Sequence, residues 1–223
     1  MHSRWGLSSE SVRRAYEVVS PVYDLIFDRI FHPGRVSAIQ LLEIRPDSRV
    51  LEVGIGTGLN LPLYPRYGSL TGVDLSQKML RKAQGRVKDL AMEQVQLLVM
   101  DAMNLAFPDD TFDRVLATYV ISVVPDPVQA LTEIRRVCKP DGHIVLLNHF
   151  KSDHPVVGTL EEWAAPITTR LGLFTLDLKL IPLLEQSRLI PDQIHRANIL
   201  NGWRLVRCIN QKRSARSGRS ITA

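Results

Sequence analysis

Apolar residues in the first part of the chain recur at the intervals of a helix. Between Ser9 and Leu42 they are Val12, Tyr16, Val19, Tyr23, Ile26, Phe27 and Ile30. Pro21 must kink or divide this stretch, because proline cannot continue the hydrogen bonding of a helix. Pro33-Gly34 predicts a turn before a further helix over about residues 35–42. We therefore expect a helical segment over residues 1–45.

After residue 45 the pattern changes to short apolar runs that alternate with helical stretches. The predicted strands are Arg49–Val53, Leu70–Val73 with Asp74 at its end, Val95–Met100, Phe112–Thr118 and His143–Asn148. The predicted helices run from Ser76 to about Val87 and from Asp126 to Val137, and a turn is predicted over Lys139–Gly142. Strands that alternate with helices are typical of a parallel sheet covered on both faces.

The end of the chain has a different pattern. Residues 156–189 are rich in leucine and isoleucine and predict short helices, and Ile194–Leu200 and Trp203–Ile209 predict strands. Asn201-Gly202 between the two strands is a strong hairpin signal. The chain therefore predicts one α/β domain over residues 1–211, with a core over 46–150 and substrate-side helices and a hairpin over 151–211. Its seven-stranded sheet should be mostly parallel, with a C-terminal antiparallel hairpin.

Charge and composition narrow the function classes. The net charge is +5, and the tail over residues 212–223 carries four basic residues and no acid, which leaves +1 on the rest. We expect this tail to be disordered. No long apolar run or signal peptide is present, and the two cysteines have no metal-ligand spacing. These features predict a cytoplasmic protein without a metal ion. We further expect a monomer.

The strongest chemical signal is the glycine-rich sequence that follows the first strand. Gly54, Gly56 and Gly58 allow a sharp turn and the close approach of a ligand, and Asp74 follows where a ribose-binding acid is expected. The spacing is G-x-G-x-G, whereas dinucleotide sites favour G-x-G-x-x-G, which argues against a nicotinamide-dependent oxidoreductase. Glu52, directly before the turn, suits a ligand that carries an ammonium and a sulfonium better than a pyrophosphate.

Four pieces of sequence over about residues 49–150 carry a family resemblance. They are LEVGIGTG, TGVDLSQKML, MDAMNLAFPDDTFDRVLATYV and EIRRVCKPDGHIVLLNH, in that order. With these pieces the chain resembles the class I S-adenosylmethionine-dependent methyltransferases. The resemblance implies a Rossmann-like fold and S-adenosyl-L-methionine as the cofactor.

The resemblance also implies which residues bind the cofactor. They are Tyr23, Glu52, Gly54, Gly56, Gly58, Asp74, Leu75, Met79, Asp101, Ala102, Met103 and Thr118. Asp74 would accept hydrogen bonds from the ribose hydroxyls, and Asp101 would accept one from the adenine amino group. Glu52, the glycines and Thr118 would lie at the methionine end. The alternatives are core packing for the apolar members and a helix-cap or turn role for the two aspartates.

Two further stretches bear on the substrate. The sequences AYEVVSPVYDLIFDRIFHPGR and LLNHFKSDHP resemble bacterial phosphatidylethanolamine N-methyltransferases. This resemblance implies methylation of phosphatidylethanolamine and of its mono- and dimethyl forms towards phosphatidylcholine. Ubiquinone- and menaquinone-precursor C-methyltransferases share the same domain, so a quinone precursor is the alternative substrate.

The residues themselves favour a lipid. Arg13, Arg14 and Arg29 accompany the apolar positions of the N-terminal segment, and basic residues beside an apolar surface suit an anionic membrane. We therefore expect a peripheral association with the inner face of the cell membrane. The alternative is an amphipathic helix that only covers the sheet. A nucleic-acid substrate is not expected, because the body is nearly neutral and lacks a segment that would present a flipped base.

Three residues are predicted to be catalytic, namely Tyr16, Tyr119 and His149. An amine attacks only as the neutral base, and methylated amines are cations that bind well to aromatic faces. His149 follows the fifth strand at the end where open α/β sheets place ligands. The segment Ile121–Pro125 lacks the histidine that many relatives acting on small phosphobases carry, which weakens a Tyr-His proton relay there. Structural packing of these residues, and a non-catalytic cofactor-binding protein, remain the alternatives.

Overall fold

The structure is a computed structural model that describes residues 31–150, 178–197 and 203–212. Its helices are α1 over residues 31–41, α2 over Gln77–Asp89, α3 over Pro127–Val137 and α4 over Leu180–Gln186, with one 3₁₀ turn over Leu61–Leu63. Its strands are β1 Arg49–Val53, β2 Ser69–Asp74, β3 Val95–Val99, β4 Phe112–Thr118, β5 Cys138–His149, β6 Pro191–Ala197 and β7 Trp203–Ile209. No helix among these residues is long and apolar enough to cross a membrane.

The seven strands form one sheet in the order β3-β2-β1-β4-β5-β7-β6. The strands from β1 to β5 pair in parallel, whereas β7 is antiparallel to both β5 and β6. This arrangement confirms the predicted α/β fold with a mostly parallel seven-stranded sheet and an antiparallel C-terminal pair. The strand order reverses between β1 and β4, and open sheets of this kind bind ligands at the carboxyl ends of the strands around such a point.

Both predicted helices of the core begin where their capping residues indicated. The Ser76 hydroxyl accepts a hydrogen bond from the Met79 N–H at 3.3 Å, and the Asp126 carboxylate accepts one from the Gln129 N–H at 3.0 Å. These side chains satisfy N–H groups that the first turn of a helix leaves without a partner. The caps therefore fix the points at which the chain leaves β2 and β4 and turns into a helix.

Helices cover the sheet on both faces, and the strand alternation decides which side chains reach each face. Buried residues of α1 and α2 pack with Val50 and Leu116 in one hydrophobic cluster. Buried residues of α3 and α4 pack with Leu51 and Val115 in the other. Because side chains alternate along a strand, Glu52 and Thr118 point to the same face as α1.

Two predicted turns are wrong. Pro33-Gly34 lies inside α1, where Gly34 belongs to the buried side of the helix. At Lys139–Gly142 the strand β5 has already begun, and its pairing with β4 shifts register. Asp141, with φ of +60°, accommodates this irregularity, and the backbone of Asn210 bonds to residues 141 and 142 across the sheet. The residues predicted to form a turn at 139–142 therefore form a bulge within β5.

Lys212, the first residue assigned to the basic tail, lies against the folded domain. Its Nζ donates hydrogen bonds to the carbonyl oxygens of Arg135 and Arg136, at 3.2 and 2.6 Å, and pairs with Asp110. A cation at the C-terminal end of a helix is favourable, because the last carbonyls of α3 lack partners within the helix. The ordered domain thus includes residue 212. Residues 213–223 lie outside the described part.

Candidate functional site

A cavity opens at the carboxyl ends of β1, β2 and β4 and beside the turn that follows β3. Residues from these four strand ends line it together with two residues of α1. In the sheet order β3-β2-β1-β4, Asp101, Asp74, Glu52 and Thr118 each come from a neighbouring strand or its end. With neighbouring strands about 4.7–4.9 Å apart, the four positions span roughly 14 Å. The cavity therefore suits an elongated ligand that lies across the strand ends.

The turn after β1 brings the backbone to the wall of this cavity. A side-chain carbon added at Gly54 would lie 2.7 Å from Cβ of Val120, so this glycine allows two strand ends to meet. Gly56 has φ of +57° and lines the cavity, and an added carbon there would meet nothing within 4 Å. The space beside Gly56 is therefore open to a ligand. Gly58 instead packs, since an added carbon would lie 2.6 Å from Cδ1 of Leu61.

Asp74 at the end of β2 is tied to the glycine-rich turn. Its carboxylate accepts a hydrogen bond from the Gly56 N–H at 2.9 Å and another from the Ser76 N–H at 2.8 Å. Burial raises the pKa of Asp74, and these two N–H groups only partly oppose that effect. Asp74 therefore both lines the cavity and holds the turn in place.

We expect Asp74→Ala to weaken the binding of S-adenosylhomocysteine about ten- to a hundredfold. The variant removes a charged acceptor, and a hydrogen bond to a charged group contributes about 1.5–3 kcal/mol. Calorimetric titration of the folded variant measures the change. Asp89→Ala, at the exposed end of α2, is the matched control. Unchanged affinity in Asp74→Ala would mean that the ribose does not lie at this carboxylate.

The side of the cavity near β3 has a mixed polar and apolar lining. Asp101, Ala102, Leu75 and Met79 all line it, as the resemblance implies. Asp101 also accepts a hydrogen bond from the backbone N–H of Met103 at 2.9 Å. The Met103 side chain packs against the hydrophobic cluster that includes α3 and α4, and it does not line the cavity. Core packing therefore fits Met103 better than contact with the cofactor.

At the other side of the cavity, Glu52 is buried with 1% of its surface exposed. Its Oε1 accepts a hydrogen bond from Nδ2 of Asn60 at 2.7 Å, and the same nitrogen donates to Thr118 at 3.2 Å. Its Oε2 is also buried, and none of the described residues donates a hydrogen bond to it. A buried carboxylate oxygen without a donor calls for a cationic or N–H-bearing ligand group.

The surroundings of Glu52 change its acidity. Desolvation raises the pKa of Glu52 to about 7, although the Asn60 amide, the nearby Tyr64 hydroxyl and the Arg35 guanidinium act in the opposite direction. The Tyr64 hydroxyl lies close to the carboxylate but outside normal hydrogen-bond geometry. A ligand ammonium at this position would favour the ionised carboxylate.

Beyond β4 the cavity borders a group of rings that we call the aromatic cluster: Phe31, Tyr119, His149 and Trp203. The Tyr119 ring centre lies 5.0 Å from that of Phe31 and 5.2 Å from that of Trp203. His149 lies 5.3 Å from Trp203, but it is not among the described residues that line the cavity. Tyr119 is held with φ of +61°, and its N–H donates to the Leu147 carbonyl at 2.7 Å. A non-glycine residue in this strained conformation is a common feature of functional sites.

Some of the predicted site residues are not tested by this geometry. Tyr16 and Tyr23 lie outside the described residues. Conversely, Phe31, Arg35 and Asn60 line the cavity without having been predicted. Arg35 had a detectable signal, because it falls on the buried stripe of α1 between Phe31 and Ile39, at a spacing of four residues from each. A charged residue on a buried stripe indicates a partner or a ligand.

The observed residues fit the cofactor that the resemblance implies. Asp101 and Asp74 come from the ends of β3 and β2, where an adenosine would need acceptors. The buried Oε2 of Glu52 comes from the next strand, β1, where an ammonium and a sulfonium would need a negative charge. The order of these groups across the sheet matches the order of the chemical groups in S-adenosylmethionine.

Comparison with known proteins gives three kinds of match. The methyltransferase domain family matches residues 51–146. A phosphatidylethanolamine N-methyltransferase of Cereibacter sphaeroides is 39% identical over 164 residues, which cover 73% of this chain and 80% of that protein. A demethylmenaquinone methyltransferase of Listeria welshimeri is 31% identical over 155 residues, which cover 66% of this chain and 65% of that protein. Among solved structures, the YcgJ protein of Bacillus subtilis superposes with a TM-score of 0.65 at 26% identity, over 74% of this chain and 73% of that one.

Proposed function

The chain belongs to the class I S-adenosylmethionine-dependent methyltransferases, and from this premise we propose that it methylates the amine of phosphatidylethanolamine. The mono- and dimethyl forms would be further substrates, with phosphatidylcholine as the end product. The observation that carries this proposal is the similarity to the Cereibacter sphaeroides enzyme, which exceeds the similarity to the Listeria welshimeri enzyme in both identity and coverage. Methylation of a quinone precursor is the second candidate.

The proposed reaction is a displacement at carbon. S-adenosylmethionine, when bound, supplies an electrophilic methyl group on a sulfonium. With Glu52 and Asp74 holding the donor, the lone pair of the neutral amine would take this methyl group as the C–S bond breaks, and S-adenosylhomocysteine would be the leaving group. The ethanolamine ammonium must lose one proton before each transfer, and a partly buried site favours its neutral form by desolvation. The reaction therefore needs a site that excludes water and tolerates a cationic product.

The aromatic cluster supports an amine as the acceptor. Phe31 and Tyr119 lie on the cavity wall beyond β4, on the side away from Asp101. Each methylated amine is a cation, and the faces of aromatic rings attract cations by about 0.5–2 kcal/mol. Carbon methylation of a quinone ring produces no cationic product, so in that reaction the rings would attract only the sulfonium of the donor.

The lipid substrate implies contact with a membrane. The basic and apolar residues that predict this contact lie in residues 1–30, outside the described part. In the described part, Ile181 and Ile190 expose 51% and 58% of their surface. We propose a peripheral association with anionic membranes, in which basic side chains contact lipid headgroups.

A methyl-transfer assay with both acceptors in parallel tests the proposed function. The protein is incubated with S-adenosylmethionine labelled in the methyl group and with vesicles that contain either phosphatidylethanolamine or demethylmenaquinone. We expect the label on the lipid nitrogen, and faster transfer on anionic vesicles than on neutral ones. Gly56→Val, which should bind the donor roughly a hundredfold more weakly, controls for contaminating enzymes when the donor is kept below saturation. Label found only in the quinone would overturn the lipid assignment and leave the family assignment intact.

A further inference from the structure

The α1 residue Arg35 faces the same cavity as the cofactor-binding motifs but belongs to none of them. It has 3% of its surface exposed and lines the cavity together with Glu52 and Thr118. All three residues lie on the same face of the sheet, because Glu52 and Thr118 point towards α1. The chain thus places a guanidinium and a carboxylate at one end of the cavity, on two different elements.

We infer that Arg35 binds the carboxylate of the methionine part of the methyl donor, while Glu52 binds its ammonium. The inference concerns the donor alone and does not depend on which acceptor is methylated. It adds a binding residue outside the four family motifs, which begin after residue 48.

The chemistry of the two side chains supports this pairing. An amino acid is a zwitterion, and a guanidinium and a carboxylate that line the same cavity can bind its two ends at once. The field of Arg35 reaches Glu52, since it lowers the pKa of that carboxyl. The planar guanidinium matches a carboxylate by two parallel N–H bonds. It carries five N–H donors, so interactions of Arg35 with other parts of the chain are compatible with a ligand.

The position along the sheet distinguishes this role from adenosine binding. Asp74 and Asp101 come from the ends of β2 and β3, whereas Glu52 and Thr118 come from β1 and β4. Asp74 shares the face of Glu52 but comes from the neighbouring strand β2. The anion that Arg35 binds would therefore lie beside Glu52, with Asp101 two strands away in the sheet.

Three ligands that differ in the charged groups of the methionine part test the inference, and no acceptor is present. The probes are S-adenosylhomocysteine, its decarboxylated analogue, which keeps the ammonium, and 5′-methylthioadenosine, which lacks both groups. Wild type, Arg35→Gln, Arg35→Lys and the control Arg81→Gln are titrated by calorimetry, after circular dichroism has verified their folding. Arg81 is an exposed residue of α2.

Arg35→Gln should bind S-adenosylhomocysteine about ten- to a hundredfold more weakly, which is the usual range for a lost charge-assisted bond. Its affinity for the decarboxylated analogue and for 5′-methylthioadenosine should match that of wild type. Arg35→Lys should show an intermediate loss, because the charge remains but the paired geometry does not. If Arg35→Gln does not fold, the lysine variant carries the same comparison.

Two results would overturn the inference. Equal weakening of all three ligands would show that Arg35 only supports the cavity wall. Unchanged affinity for all three, with a raised KM for the phospholipid, would show that the guanidinium binds the phosphate of the acceptor. Neither result would alter the outcome of the acceptor test, which identifies the methylated product.

Discussion

Replacing Gly56 by valine is expected to lower the affinity for S-adenosylhomocysteine roughly a hundredfold while the protein still folds. The site beside Gly56 is open in the protein, where an added Cβ meets no atom within 4 Å, so the valine side chain would extend into ligand space. Overpacking a close contact costs about 1–3 kcal/mol, and 1.4 kcal/mol is a tenfold change in affinity. Calorimetric titration measures the affinity, and thermal unfolding measures the stability.

Two further variants separate the ligand contact from backbone strain. Gly56→Asn also adds a side chain, but asparagine tolerates the left-handed conformation at φ of +57°, so the variant should be more stable and still bind poorly. Gly54→Val should instead unfold the protein, because its side chain would overlap Val120. Near-normal binding by Gly56→Val would show that no ligand passes this turn.

Replacing Glu52 by glutamine is expected to stabilise the ligand-free protein at alkaline pH and to weaken donor binding. The pKa of Glu52 is raised by burial to about 7, from an ordinary value of 4.5. The folded state therefore holds the proton more tightly than the unfolded state. The contribution of Glu52 to stability is fully present below pH 4.5 and is lost as the pH rises to about 7. A shift of this size corresponds to about 3 kcal/mol.

Chemical denaturation at several pH values measures this effect. At pH 8 the unfolding free energy of Glu52→Gln should exceed that of wild type by roughly 2–3 kcal/mol, and the difference should vanish near pH 4.5. The nearby Asp74 carboxylate also raises the pKa of Glu52, so the measured difference includes the repulsion between the two carboxylates. A variant that is less stable than wild type at pH 8 would show that the buried carboxylate is satisfied without a ligand. Such a stability cost is common at sites that are built to bind a charged ligand.

Local sequence signals predicted most of the core and the part of the site that lies on it. The predicted strands around Val50 and Phe112 agree with β1 and β4. A short apolar run that is bounded by turn residues is typical of a buried strand. The caps Ser76 and Asp126 fixed their helices because the bonds they make are to residues three positions along. Gly56 and Asp74 were predicted at the cavity for the same reason. The glycines directly follow β1, and Asp74 is the last residue of β2, so each signal is local.

The remaining parts of the site depend on contacts between distant segments. The aromatic cluster brings Phe31 of α1 next to Trp203 of β7, at 4.8 Å between ring centres, and no local pattern joins these residues. The turns at Pro33 and Asp141 were wrong because tertiary packing used the same residues within a helix and a bulge. Lys212 was assigned to the tail by charge alone, whereas its position is decided by the carbonyl groups of α3.

The orientation of the donor in the cavity is the claim on which the mechanism depends, and a crystal structure with S-adenosylhomocysteine measures it directly. We expect the ribose hydroxyls within hydrogen-bond distance of the Asp74 carboxylate and the adenine beside Asp101. We further expect the amino-acid part between Glu52 and Arg35, with the sulfur facing the side of the cavity that Phe31 and Tyr119 line. A ligand bound in the reverse direction, with its adenine at Glu52, would contradict it.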